Sequence, residues 1–416
     1  MLPHCAAVVA RVTRSLFARS KTPLTFLAAV AIIGAGGGVL SALFLGSLNW
    51  ATSTRIDHGW LIYLLPVGGL AVGLLYHRFG QPIAGGTSLV LDAAHVPDGQ
   101  VPTRMAPMIW GGSVASHVVG ASVGREGAIV QIVASATDDV GRRLRFPPHL
   151  RRSFLVFAVA AAFGGLFGVP IAGGVFALDA QRKSGRHVFL LPLTIATGLV
   201  ANASARAVGV EHEHPFRIDS TDLAWPYLWR YVIAGIAFGL VAVLFIRAEH
   251  RVKELFARTV KWPPLRPAIG GAGVLVLFAA AGTRDYMGIS TGLITAALTG
   301  AVGVAAVAFL WKLGFTALSL GSGFVGGEMF PLFVMGALAG AQFARLTDAS
   351  IPLFAALGLI AVFGAAANTP VTCVVIGVEL FGWAGLPAYF IVCIVAALAS
   401  GDHTIYKPSP LAKTPG

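Results

Sequence analysis

The sequence predicts an all-α polytopic membrane protein made of broken and re-entrant helices. Three observations predict it. Of the 416 residues, 56% are hydrophobic and 12% charged, against roughly 25% charge in a soluble domain, and the mean hydropathy is +0.78. The apolar residues come in long continuous runs, not in the apolar/polar alternation of a membrane β-barrel, so helices are the elements. Finally, 51 glycines and 23 prolines punctuate those runs. Small residues let membrane helices pack closely, and breaks let helix ends line a polar cavity.

In chain order, apolar runs lie at about 24–47, 60–77, 105–123, 127–140, 153–167, 169–180, 188–206, 227–247, 267–283, 289–299, 301–320, 329–345, 351–367, 369–383 and 386–400. The first follows a basic segment, 1–23, but is too long for a signal-peptide core and reads as a retained helix. Several others fall short of the roughly 20 residues needed to cross hydrocarbon upright. Short helices separated by glycine or proline are expected to meet near the bilayer midplane. A polar stretch, 207–226, separates a first half (24–206) from a second (227–408), and 409–416 form a tail. Within that stretch Glu211-His212-Glu213-His214 alternates metal-capable side chains, and the reading is a solvated loop. Basic residues cluster at Arg11–Lys21, Arg142–Arg152, Arg182–Arg186 and Arg247–Arg266 and give a net charge of +12. Short basic loops beside spans face the cytoplasm. No soluble domain carries these charges, so nucleic-acid binding is excluded as the reading. Cys5, Cys373 and Cys393 show no metal or disulfide spacing.

Two internal echoes suggest duplication. Phe163-Gly164-Gly165-Leu166-Phe167-Gly168-Val169-Pro170 returns 200 residues later as Phe363-Gly364-Ala365-Ala366-Ala367-Asn368-Thr369-Pro370, and each proline is followed by an acidic residue, Asp179 or Glu379. Val123-Gly124-Arg125-Glu126 returns as Val325-Gly326-Gly327-Glu328. Duplicated halves are typical of secondary transporters with a site at the repeat interface.

The candidate site residues come from the glycine-rich breaks. Glu126 lies in Gly124-Arg125-Glu126-Gly127-Ala128, an interruption of apolar sequence. A carboxylate within a bilayer is costly and rarely idle. A helix starting there aims its positive end and free N–H groups at an anion, so Gly124 and Gly127 are candidate anion contacts. A structural Arg125–Glu126 pair is the alternative. Glu328, with Met329, Phe330 and Pro331, repeats the arrangement and is either a proton participant or a structural cap. Thr87 and Ser88 follow Gly85-Gly86 and serve either as an N-cap or as anion ligands. Tyr406, beyond the last run, carries one phenolic donor and is either an anion ligand or an ordinary interfacial tyrosine. His117 reads as a packed or capping histidine. No metal site, cofactor or catalytic triad emerges, and an enzyme is not expected.

Together these segments resemble the CLC family of chloride channels and proton-coupled anion antiporters over about 24–408. The specific pieces are GREGAIVQI at 124–132, FGVPIAGGVFAL at 167–178, YMGIS at 286–290, GSGFVGGEMFPLFVMGALAG at 321–340 and NTPVTCVVIGVELF at 368–381. The resemblance implies an inverted repeat, a homodimer with one pathway per subunit, and a bacterial inner-membrane protein. It implies that Glu126 is the gating glutamate and that Tyr406 touches the central anion. Ala128 replaces the proline of the chloride branch, Glu328 replaces an apolar residue, and Ala180 stands where chloride exchangers carry an inner proton-relay glutamate. These features resemble the fluoride/proton antiporter branch, in which Glu328 would be a coupling carboxylate. Thr87 and Ser88 depart from that branch, which commonly has methionine or asparagine there. Phe330 departs from its usual threonine. The expected transport is export of fluoride in exchange for H⁺ through Glu126; the alternative is a chloride/proton antiporter or a passive chloride channel of the same family.

Overall fold

The computed structural model describes residues 22–96, 99–180, 185–212, 217–218, 228–300 and 307–406. Among them are sixteen α-helices: α1 Thr22–Asp57, α2 Leu65–Phe79, α3 Gly86–Ala93, α4 Met105–Val119, α5 Glu126–Arg143, α6 Pro148–Phe167, α7 Pro170–Asp179, α8 Leu191–Ala207, α9 Leu228–Thr259, α10 Leu265–Ala281, α11 Thr291–Leu298, α12 Ala308–Ser322, α13 Met329–Thr347, α14 Ile351–Ala367, α15 Pro370–Phe381 and α16 Leu386–Ser400. Among the described residues, seven helical segments are long and apolar enough to cross a membrane, namely Leu24–Asp57, Gly59–Phe79, Pro148–Phe167, Val188–Ala207, Leu228–Thr259, Met329–Thr347 and Trp383–Ser400. Glu213, His214, the Arg11–Lys21 cluster, Cys5 and most of 207–226 lie outside the described residues.

The breaks follow from local chemistry. α6 ends at Gly168 (φ 72°) and α14 at Asn368 (φ 57°), both left-handed. Glycine adopts that conformation freely and asparagine tolerates it. Pro170 and Pro370 then open α7 and α15, where a missing N–H costs nothing. The two acidic residues that follow act across the repeat. The Glu379 carboxylate accepts from the N–H groups of Ile171 (3.0 Å) and Ala172 (2.7 Å) at the start of α7. Asp179 accepts from the N–H (3.1 Å) and hydroxyl (2.9 Å) of Thr372 at the start of α15. Each helix therefore receives its cap from the far end of its counterpart, and the fold is an inverted repeat of broken helices.

Aromatic rings pack together in the interior. Phe163 stacks on Phe176 at 4.6 Å, Phe333 meets Phe363 at 4.9 Å, and Phe167 meets Phe333 at 5.1 Å. Cys373 and Cys393 are buried free thiols. α3 is the short helix that the N-cap reading of Thr87 and Ser88 implied, but it begins at Gly86, ahead of both residues. The run expected over 105–123 ends as helix at Val119 because Gly120 is left-handed (φ 87°). That stop creates the site.

Candidate functional site

α4 stops at Gly120 (φ 87°) and α12 at Gly323 (φ 114°). The loops that follow lead into α5 and α13 and lie antiparallel. Gly124 N–H donates to the Gly327 carbonyl at 2.7 Å, and Gly327 N–H returns the bond to Gly124 at 2.7 Å. The Ser116 hydroxyl accepts from Val325 N–H (3.2 Å), and the Ser319 hydroxyl accepts from Ser122 N–H (3.1 Å). Each loop is thus held by a serine from the helix preceding the other.

This geometry corrects the register of the sequence echo by one residue. Gly124 faces Gly327, not Gly326, so Glu126 corresponds to Met329 as first helical residue. Glu328 corresponds to Arg125 as N-cap residue. The letter match of two glutamates was not a match of position.

Glu126 is 2% exposed. Its carboxylate folds back over the start of α5 and accepts from Arg125 N–H (3.2 Å) and Arg125 Nε (3.3 Å). The Arg125–Glu126 pair is therefore present, with the guanidinium 5.2 Å from the Phe330 ring centre. The first amides of α5 have no intrahelical acceptor; the first helical bond there is Ile129 N–H to the Arg125 carbonyl (3.1 Å). Gly327 faces these amides. A Cβ on Gly327 would lie 2.8 Å from Gly127 N, 3.2 Å from Glu126 N and 3.3 Å from Arg125 N. The absent side chain leaves that helix start accessible.

Glu328 makes no side-chain cap bond to α13, which removes the structural-cap reading. It is within electrostatic reach of Glu249 and Lys253 on α9 and of Tyr406. Met329 and Phe330 are buried at the start of α13, where Leu332 N–H to the Glu328 carbonyl (3.3 Å) is the first helical bond. Their amides, like those of α5, lack an intrahelical acceptor.

Thr87 does not cap α3. The helix has no side-chain cap, and the Thr87 hydroxyl donates to the Gly127 carbonyl at 3.4 Å while accepting from Gln131 Nε2 at 3.2 Å. It joins α3 to α5. Ser88 is half-buried and makes no side-chain hydrogen bond among the described residues. The phenolic oxygen of Tyr406 is buried and has no hydrogen-bond partner among the described residues. Its ring lies 6.3 Å from Phe176, and Ile405 N–H anchors the segment to the Ala366 carbonyl at 2.9 Å. Tyr406 is within electrostatic reach of both Glu126 and Glu328. A buried hydroxyl without a partner leaves a hydrogen bond unmade. His117 is packed as expected, with Nδ1 2.7 Å from the Ser113 carbonyl. No group of three metal-capable side chains occurs among the described residues.

The family described as voltage gated chloride channel matches residues 68–401. The chain belongs to this family. A chloride/fluoride channel protein of Pseudomonas syringae pv. tomato is 38% identical over 386 residues, covering 92% of this chain and 85% of that one. An H(+)/Cl(-) exchange transporter, ClcA, of Cronobacter sakazakii is 28% identical, covering 89% and 85%. The crystal structure of a CLC-type fluoride/proton antiporter superposes with a TM-score of 0.88 at 32% identity, over 95% of this chain and 99% of that one. A slow cyanobacterial Cl-/H+ antiporter shares the fold, with a TM-score of 0.75 at 20% identity over 90% and 94%. The protein is a multi-pass transport protein of the bacterial inner membrane, not an enzyme. Its general function is anion/proton antiport or anion conduction.

Two cations of this CLC protein escaped the sequence reading. Lys312, fully buried on α12, donates to the Ser122 hydroxyl (2.9 Å), the Tyr286 carbonyl (3.2 Å), the Gly288 carbonyl (2.8 Å) and the Ser290 hydroxyl (2.8 Å). It ties the loop before Glu126 to the 284–290 loop. A lone lysine inside an apolar run was the available signal. Arg55, at the end of α1, is 9% exposed; it lies beyond any motif, and only the fold brings it near the site.

Proposed function

We propose that the protein exchanges fluoride for protons, 1:1, and so exports fluoride at the expense of a proton gradient. One observation carries the reading: the Glu126 carboxylate occupies the donor-rich start of α5, accepting from Arg125 N–H at 3.2 Å. A carboxylate there acts as a tethered anion. Protonation removes its charge, weakens its hold on the N–H groups and leaves the helix start to a free anion. The anion moves outward as the proton moves inward, because one group cannot hold both positions at once.

Fluoride is small and strongly hydrated, so replacing its water needs several closely placed donors. The backbone N–H groups of Gly127, Met329 and Phe330 supply them, with the Tyr406 hydroxyl as a further donor, whereas the Gly124 N–H is held by the Gly327 carbonyl. Glu328 is assigned to coupling. The names of the relatives at 38% and 32% identity include fluoride, and this supports the choice of ion. Chloride is the second reading, favoured by the Ser88 hydroxyl in the first turn of α3, which makes no side-chain hydrogen bond among the described residues. We further assign the halves to 24–206 and 227–408 and expect a homodimer with one pathway per subunit.

Purified protein in liposomes tests the reading, with fluoride and chloride compared in parallel and anion efflux recorded together with proton uptake. Proton-coupled fluoride flux exceeding chloride flux supports it. Equal or preferential chloride flux contradicts the ion assignment, and anion flux without proton movement contradicts the exchange mechanism.

A further inference from the structure

α9 turns one stripe toward the core, and Phe245, Ile246 and Phe256 on it are buried. Glu249 lies on the same stripe, one turn after Phe245 and two turns before Phe256, and is 8% exposed. That register calls for an apolar residue, and a carboxylate there is costly. Three carboxylates are buried among the described residues: Glu126, Asp138 and Glu249. Glu126 is at the gate. Asp138 is spent on structure, accepting from Val101 N–H at 3.0 Å and from Arg151 Nη2 at 2.6 Å. Glu249 makes no hydrogen bond or ion pair among the described residues. A structural task accounts for Asp138, as it does for Asp179 and Glu379, but not for Glu249.

Its surroundings put it between Glu328 and the cytoplasm. The turn of α9 that holds it is pressed onto the last turn of α12: a Cβ on Gly321 would lie 3.0 Å from the Glu249 carbonyl oxygen and 2.7 Å from Val252 Cγ1. From Gly321 the chain runs through Gly323 to Glu328, and Glu328 and Glu249 are within electrostatic reach of each other. On the same turn Arg247 Nη2 donates to His403 Nε2 at 3.2 Å, in the segment that carries Tyr406. Beyond Glu249, α9 becomes basic and exposed, with Arg251, Lys253 and Arg258, and a basic end of this kind faces the cytoplasm. The charged and titratable groups meeting this turn are Glu328 before α13, His403 after α16, and Arg247, His250, Arg251 and Lys253 of α9 itself. Ala180, closing α7, supplies no proton carrier on that side.

We propose that Glu249 is the proton relay between Glu328 and the cytoplasm. In the inward step the O–H bond of the Glu328 carboxyl breaks and an O–H bond forms at the Glu249 carboxylate, through bridging water. Glu249 then gives the proton to cytoplasmic water and is charged again, so neither side chain keeps a net proton. The inference rests on the reading of the protein as an anion/proton exchanger with Glu328 in coupling.

Fluoride efflux and proton movement recorded together in liposomes of the full chain test it, with chloride in parallel. Glu249→Gln should move at least about tenfold fewer protons per anion than the unaltered protein, the low end of what a positioned carboxyl contributes to proton transfer, while anion flux persists. Glu249→Asp, still ionisable, should keep most of the coupling. Glu249→Leu, suited to a buried stripe, should lose it as Glu249→Gln does, and replaces that variant should the amide unfold the protein. Flux is counted per folded protein, taken from a thermal melt in detergent. A merely structural role lowers both fluxes together and leaves their ratio unchanged. An unchanged ratio in the neutral variants therefore overturns the relay, and so does a ratio that falls as far in Glu249→Asp as in Glu249→Gln. Coupled flux in both the unaltered protein and Glu249→Gln overturns this inference alone. An unaltered protein that moves no protons with either anion overturns the exchange reading, and the relay with it.

Discussion

Asp179 and Glu379 exchange helix caps. Asp179 closes α7 and binds the start of α15 through Thr372, while Glu379, near the end of α15, binds the start of α7 through Ile171 and Ala172. Two acidic residues in apolar sequence can suggest a proton path, but here both carboxylates have a full structural task. Alanine at either position should lower stability by about 0.5–2 kcal/mol, the range for a lost cap, while the folded fraction keeps its coupled transport. Thermal unfolding in detergent, paired with flux per folded protein, checks this. Lost coupling at unchanged stability would move these residues into the transport path.

Gly327 should tolerate no side chain. In Gly327→Ala the methyl would stand 2.8 Å from Gly127 N, over the amides at the start of α5. Anion flux should fall far more than stability does. Liposome flux beside a thermal melt separates these effects, and near-normal flux would show that the anion does not use that helix start.

Removing the Tyr406 hydroxyl should leave folding intact, since it has no partner to lose among the described residues. Tyr406→Phe should melt within about 0.5 kcal/mol of the unaltered protein and bind the transported anion about tenfold more weakly. Calorimetric titration with fluoride checks the affinity. Unchanged affinity would exclude the phenol as a ligand.

Glu328→Ala should preserve anion flux but reduce the protons moved per anion. Glu328 caps nothing, so a structural explanation for lost coupling is weak. A fully coupled Glu328→Ala protein would end its assignment.

Much of the fold was legible in the sequence because helix breaks have local causes. Gly168 and Asn368 take left-handed conformations, prolines follow, and the interruption around Glu126 stands out against apolar neighbours. The register of the second echo was not legible. Identical letters aligned Glu126 with Glu328, whereas the hydrogen bonds between Gly124 and Gly327 align Glu126 with Met329. Pairing across a repeat interface is a tertiary fact that letters do not carry. The same holds for Thr87, whose hydroxyl turns from its own helix to Gly127, and for Arg55, remote in sequence from Glu126.

The central claim is that the Glu126 carboxyl carries the proton whose movement admits the anion. The most direct measurement is proton movement driven by a fluoride gradient in liposomes, in the unaltered protein and in Glu126→Gln. The account predicts uphill proton movement in the first and none in the second, with anion flux persisting because the neutral side chain no longer competes for the start of α5. Undiminished proton movement in Glu126→Gln would contradict it.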